Sequence, residues 1–406
     1  MAVSEAIFDG LKNVEKDILR FAMLKIEHCN ANYSIDFSDA QLMFKVIKDE
    51  SHVKPKKILS VRFDTLFKDG VKLLNSAFEN SDHRKFEAMK SYEKTAVQLL
   101  DDFFKNLDHY GENLKKVFAK NPVSETDIAI ALAEHLLGRL APGCTYIVKE
   151  KGKCKCGCGV EPKFGSTGIG HGAVWHGDID IIFSSHHGLP LSDIAVKTVN
   201  KCEPDVHEDE EEAETSTPRK KRKREGSKKT ITACGQDYKI FNLGDLEETD
   251  ISPGEKSATE VKYSTSGALD QTLAQTIVFS LLQKQKHPNL KNFLIPNILI
   301  SPEEIQILVY DAEYDVLLCS NIIELFDPSE LCLNPETLII LWMVLHYRMF
   351  CTGLPPLLHK YRSHFKDLTE ATWDIYSKSL KCGVSGFPVI EKPDFHTYLT
   401  FAKEIC

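Results

Sequence analysis

No stretch of this chain approaches about eighteen consecutive apolar residues, which argues against a membrane-spanning helix. The start, Met1-Ala-Val-Ser-Glu-Ala-Ile-Phe8, lacks the positive charge and apolar block of a secretory signal, so residence inside the cell is expected. Cysteine is too thin for a disulfide scaffold: 12 in 406 residues, mostly single, which predicts free thiols in a reducing compartment. An excess of basic charge is missing too. Asp and Glu number 59 against 50 Lys and Arg, a formal net charge of −9, so the chain as a whole does not advertise a polyanion partner. Recognition-helix, zinc-finger and RNA-binding signatures are absent. Gly165-Ser-Thr-Gly-Ile-Gly170 has no Gly-Lys-Ser/Thr after it and no helix starting on it, so it is read as a flexible loop rather than a phosphate cradle.

What is present centres on two β-prone runs with acids on one side and apolar residues on the other. In Ala173-Val-Trp-His-Gly-Asp-Ile-Asp-Ile-Ile-Phe183 the period of two puts Asp178 and Asp180 on one face and Ile179, Ile181 and Phe183 on the opposite one. In Ala258-Thr-Glu-Val-Lys-Tyr263 the same spacing gives Glu260 and Lys262 a common face. Paired side by side, the two runs would gather three carboxylates and a lysine at one end of a sheet. Such a cluster repels itself unless a cation offsets the charge.

Around these runs, residues 1–120 read as a helical region, with Ile7, Leu11, Val14, Ile18, Leu19 and Ala22 at three-and-four spacing. Ser124 and Thr126 are capable N-caps for a helix from Asp127 to Leu140 that stops at Ala141-Pro-Gly143 and carries Glu134 and His135 near its middle. Cys144-Thr-Tyr-Ile-Val-Lys-Glu150 has strand composition. Cys154, Cys156 and Cys158 follow in a Gly- and Lys-rich turn, where thiolates suit zinc and Cys144, His171 and His176 are near enough in sequence to complete a site; an exposed loop is the alternative. After Phe183 an acidic run, Glu208 to Glu214, leads into the basic run Arg219, Lys220, Lys221, Arg222, Lys223, Arg224. Blocks of like charge predict a disordered insertion at about 200–230, and the basic block resembles a nuclear-localisation signal read by the import machinery. Gly267 to Gln283 reads as a helix with Gln271 and Gln275 one turn apart. Strands at 293–300 and 305–310 and a helical tail over 321–406 complete the reading.

Gly177-Asp-Ile-Asp-Ile-Ile-Phe183, Glu260-Val-Lys262 and the helix Gln275-Thr-Ile-Val-Phe-Ser-Leu-Leu282, in that order, resemble the motif series of the PD-(D/E)xK nuclease superfamily, with its RecB-type and exonuclease-like branches nearest. Phe279 stands where those branches carry tyrosine, and some seventy residues separate the two acidic runs. The resemblance spans residues 121–320. It implies an α/β, restriction-endonuclease-like mixed sheet flanked by helices, between helical N- and C-terminal regions. It further implies Mg²⁺ or Mn²⁺ held by Asp180, Glu260 and the Val261 carbonyl, with Glu134 or Asp178 extending the set. Lys262 would orient the attacking water or stabilise developing charge, with Gln275 above. The expected function is metal-dependent phosphodiester hydrolysis, in DNA, in the nucleus. A nuclease-like module that binds DNA or assembles without cleaving is one alternative, and a nuclear scaffold whose cysteine loop holds zinc is another.

Overall fold

A computed structural model of the chain describes residues 3–16, 19–32, 40–47, 56–78, 89–142, 146–183, 194–199, 238–242, 266–327 and 332–382. The basic run Arg219 to Arg224 and the acidic run before it lie outside the described residues. The architecture is α/β: a mixed, many-stranded sheet flanked by helices.

The chain opens with helix α1 (Val3–Glu15), then strands β1 (Arg20–His28), β2 (Gln41–Phe44), β3 (Val46–Ile47) and β4 (Lys56–Arg62), then helices α2 (Lys68–Phe78), α3 (Ser91–Lys105) and α4 (Leu107–Phe118). The expected all-helical stretch over 1–120 is therefore corrected at Arg20–His28, Gln41–Phe44, Val46–Ile47 and Lys56–Arg62, which are strands. Phe21, Met23, Leu24 and Ile26 make a short apolar run that periodicity alone cannot assign to helix or strand. Tertiary pairing decides it. One edge of β1 bonds to β13 (Val316–Ser320) and the other to β4 and then β2, so its backbone groups are met on both sides.

Helix α5 (Glu125–Leu132) starts at Ser124, whose Oγ accepts from the Asp127 N–H at 3.1 Å. It runs on as a π turn, Ala133–Leu137, and a last turn, Gly138–Leu140, stopping where Ala141-Pro142 was expected to end it. Gly138 is required there: a Cβ would sit 2.3 Å from the Ala133 carbonyl oxygen and 3.0 Å from the Tyr146 ring. The strands that follow are β5 (Tyr146–Val148), β6 (Gly168–Gly170), β7 (His176–Asp178), β8 (Ile181–Phe183), β9 (Ile194–Thr198) and β10 (Tyr238–Asn242). Helix α6 (Ser266–Lys286), strands β11 (Leu294–Ile300), β12 (Glu304–Asp311), β13 and β14 (Ile323–Glu324), helix α7 (Pro335–Leu345) and strand β15 (Lys381–Cys382) follow, with short helical turns such as Phe63–Leu66, Tyr347–Phe350 and Trp373–Lys378 between the longer elements. Gly168–Gly170 is thus a strand and not the loop expected.

Among the described residues the main sheet has the order β10-β4-β1-β13-β12-β11-β9-β8-β5, and β15-β6-β7 form a small second sheet. Strands β5, β8 and β9 are successive antiparallel neighbours, whereas β9 and β11 are parallel and connected through a crossover that contains α6. Helix α6 is buried nearly all round. Its Thr272, Thr276 and Ser280 hydroxyls donate to the carbonyls one turn back, which leaves few polar groups to satisfy in the core. Elsewhere in the fold α1 packs on α7, where the Cβ of any residue replacing Gly10 would come within 2.8 Å of Ile339. Fully buried Trp342 donates from Nε1 to the Ala96 carbonyl at 2.9 Å, pinning α7 to α3. Residues from both ends of the chain thus share one hydrophobic core with the middle.

Candidate functional site

Two polar clusters form at either end of the Ser124-capped helix. The first lies at its N-terminus. The acidic run 173–183 is not one strand: β7 ends at Asp178 in the small sheet, β8 begins at Ile181 in the main one, and Asp180 sits in the bend between. Asp178 is exposed and Asp180 is buried, so the expectation that they share a strand face is corrected. The antiparallel register that sets Ile181 across from Val196 brings Asp180 against Lys197. Asp180 Oδ2 accepts from Lys197 Nζ at 3.0 Å, from the Thr198 N–H at 2.8 Å and from Thr198 Oγ1 at 3.1 Å. Lys197 Nζ also donates to Glu125, the first residue of α5. Burial works against the Lys197 charge, but Asp180 and Glu125 outweigh it and hold the ammonium above its ordinary range. Glu125 is pushed up, first by burial and then by Asp180, against the pull of Lys197. Asp180, Glu125 and Thr198 line a pocket of about 340 Å³, mouth included, with Thr126, Lys149 and Glu150 at its walls.

Glu260, Val261 and Lys262 lie outside the described residues, as does Cys144. Gln275 is buried and donates from Nε2 to the Asp178 carbonyl at 2.8 Å, while its Oε1 has no partner among the described residues. Gln271, one turn earlier, is exposed, so the two amides do not look at one site. Glu134 does not line the pocket. It is committed to Arg139 and to the Tyr146 hydroxyl, 2.6 Å away, and burial followed by Glu134 keeps that phenol protonated. The helix acid that reaches the Asp180 pocket is instead Glu125, which the sequence shows only as an acid in a first turn. Lys197 was equally hidden, because Ala195-Val-Lys197 carries alanine where Glu-x-Lys has its acid.

The second cluster sits on the π turn. His135 Nε2 is 3.1 Å from Cys156 Sγ, 3.4 Å from Cys154 Sγ and 3.7 Å from Cys158 Sγ, and the Cys154 and Cys156 sulfurs are 3.4 Å apart. All four ligand atoms lie within 4.8 Å of one another, an arrangement that can hold a metal such as zinc. The fourth member is neither His171 nor His176: the Nδ1 of the first accepts from the Ala173 N–H, and the Nδ1 of the second lies 3.2 Å from the Val174 carbonyl oxygen. Sequence proximity pointed to those two, whereas His135 arrives through the fold, 19 residues before Cys154. Burial lowers the His135 proton affinity, leaving a neutral imidazole with a lone pair to offer. Burial also pushes the Cys154 thiol up to about 12; for Cys156 burial acts in the same sense but is outweighed by the Cys158 N–H and neighbouring thiols, so it is held low.

Comparison of the chain with protein-family models, with curated proteins and with solved structures gives no match.

Proposed function

We propose that the chain is a metal-dependent phosphodiesterase acting on DNA in the nucleus, with its reaction centre in the Asp180 pocket. One observation carries the reading: Asp180, in the bend that leads into β8, meets Lys197 of the adjacent antiparallel β9, closed off by Glu125 from the preceding helix. The order helix α5, antiparallel β5, β8 and β9, crossover helix α6 and parallel β11 supports a restriction-endonuclease-like core, with Gln275 of that helix against the Asp178 backbone.

The donor set suits a hard divalent cation. Asp180, Glu125 and Glu150 offer carboxylate oxygens against the two ammoniums of Lys197 and Lys149, so the cluster keeps one net negative charge for Mg²⁺ or Mn²⁺. Such an ion, when bound, supplies Lewis-acid polarisation of a phosphoryl oxygen and an acidified water. The chain's own groups do the rest. Lys197 stays protonated beside its two acids and donates toward charge that builds on the phosphate, and the Thr198 N–H and hydroxyl fix the Asp180 carboxylate in one orientation.

A nicking assay on single-stranded, duplex and branched DNA tests this. The parent should cleave with Mg²⁺ or Mn²⁺, and Asp180→Asn or Lys197→Met should lose about 100-fold or more. Lys262→Met, run beside Lys197→Met, decides which lysine serves. Absence of cleavage on all three substrates overturns the reading. Alanines across Arg219 to Arg224 should release a fluorescent fusion from the nucleus; unchanged nuclear signal removes that part. A second reading, a module that binds DNA without cutting it, is favoured by Ala195, and binding without turnover in the same assay would establish it.

A further inference from the structure

We infer that His135, Cys154, Cys156 and Cys158 are the complete ligand set of one structural zinc ion, which clamps the loop 149–163 onto the π turn that ends α5. The inference is independent of the nuclease reading and holds whether or not the chain cleaves DNA. Zinc with Zn–S near 2.3 Å and Zn–N near 2.0–2.1 Å needs a tetrahedron with edges of about 3.5–3.8 Å. The separations from His135 to the three sulfurs, 3.1, 3.4 and 3.7 Å, and the 3.4 Å between Cys154 and Cys156, approach that size. Sulfurs so placed are far beyond the roughly 2.05 Å of a disulfide. Three thiols and an imidazole are soft donors that favour zinc over magnesium.

The loop backbone is shaped for the task. Gly157 and Gly159 take φ of +99° and +80°, the left-handed region that lets alternate cysteines face one point, and neither glycine has a neighbour that would fill the space of a side chain. Cys156 Sγ accepts from the Cys158 N–H at 3.3 Å, and the Cys154 N–H donates to the Val160 carbonyl at 2.9 Å, closing the turn. Lys151-Gly-Lys-Cys-Lys-Cys-Gly-Cys-Gly159 has no large apolar residue with which to pack itself down. An ion supplies what it lacks. On binding, three S–H protons leave to solvent as three Zn–S bonds form, and the neutral imidazole adds the fourth donor. The site then carries one net negative charge. Lys120 Nζ reaches the Lys155 carbonyl at 2.6 Å, tying the same loop to the end of α4.

Four protein ligands leave no position for water, the mark of a structural site. Its effect reaches the pocket because the loop begins with Lys149 and Glu150, which line it. Glu150 accepts from Thr126 Oγ1, and a Cβ on Gly152 would strike Ile130 at 2.4 Å, so the loop lies flat along α5 from pocket to cluster.

The test uses the full chain. Metal analysis should find one zinc per chain, retained in His171→Ala and His176→Ala and lost in His135→Ala and Cys156→Ser. Cobalt substituted for zinc should give the intense visible bands of a tetrahedral thiolate site. If the variants fail to fold, the parent alone decides: chelation should expose three thiols to a colorimetric reagent and open the loop lysines to trypsin, both reversed by added zinc. A chain that cannot be loaded with zinc or cobalt, zinc retained in His135→Ala, weak six-coordinate cobalt bands, or a thiol titre unmoved by chelation overturns the inference.

Discussion

The two ends of α5 present the same problem, polar groups withdrawn from water, and solve it in opposite ways. At the N-terminus Asp180 and Lys197 neutralise each other: the aspartate is saturated by three donors at one oxygen and lines an open pocket, with Lys197 behind it. At the π turn His135 and three cysteines face one another with no side-chain cation among them. An ion pair inside the fold needs no ligand to be stable, whereas a knot of thiols does. One end is therefore stable as it stands, and the other has the donors to hold a metal.

Stripping zinc should cause the largest loss, lowering the thermal midpoint by about 5 °C or more and restoring it on re-addition, as followed by calorimetry. A midpoint indifferent to chelation would put both ends on the same footing. Next, Asp180→Ala should cost about 3 kcal/mol in urea unfolding, because the buried Thr198 N–H and hydroxyl lose their acceptor and Lys197 keeps only Glu125 as counter-charge, while the Asp180→Ala, Lys197→Met double variant should recover part of it. If the double variant costs as much as the two single variants added together, the pair is not the self-neutralising unit described.

Acid separates both ends from the core that carries them. Burial holds His346 down at about 4, so the folded state keeps it neutral while the unfolded chain binds a proton below about 6.5. Its contribution is complete above that pH and is lost as pH falls toward 4, on the order of 3 kcal/mol in all. His346→Phe should flatten the slope of stability between pH 6.5 and 4, measured by denaturant titration; an unchanged slope would show that His346 does not carry the acid loss. The smallest effect is expected at Ser124→Ala, about 1 kcal/mol, since one N–H at the start of α5 loses its acceptor.

Helix α5, helix α6 and strands β11 and β12 were legible because long periodic segments and caps announce themselves locally, with Ser124 and the stop at Ala141-Pro142 as signals of that kind. The strands over 20–62 were not, since only pairing with β13 distinguishes their apolar run from a helix. Site residues divide the same way. Asp180 and the three cysteines stand out by spacing, whereas Glu125, Lys197 and His135 owe their places to a strand register and a helix turn that no spacing encodes.

Strand β1 lies between β13 and β4, so residues near the start of the chain fill the middle of the sheet. Cutting the protein at 121 to obtain a smaller fragment would strip the partner from one whole rim of β13. The bared row of amide and carbonyl groups would then recruit another molecule as its missing neighbour, so a truncated version should precipitate or self-associate where the intact chain does not.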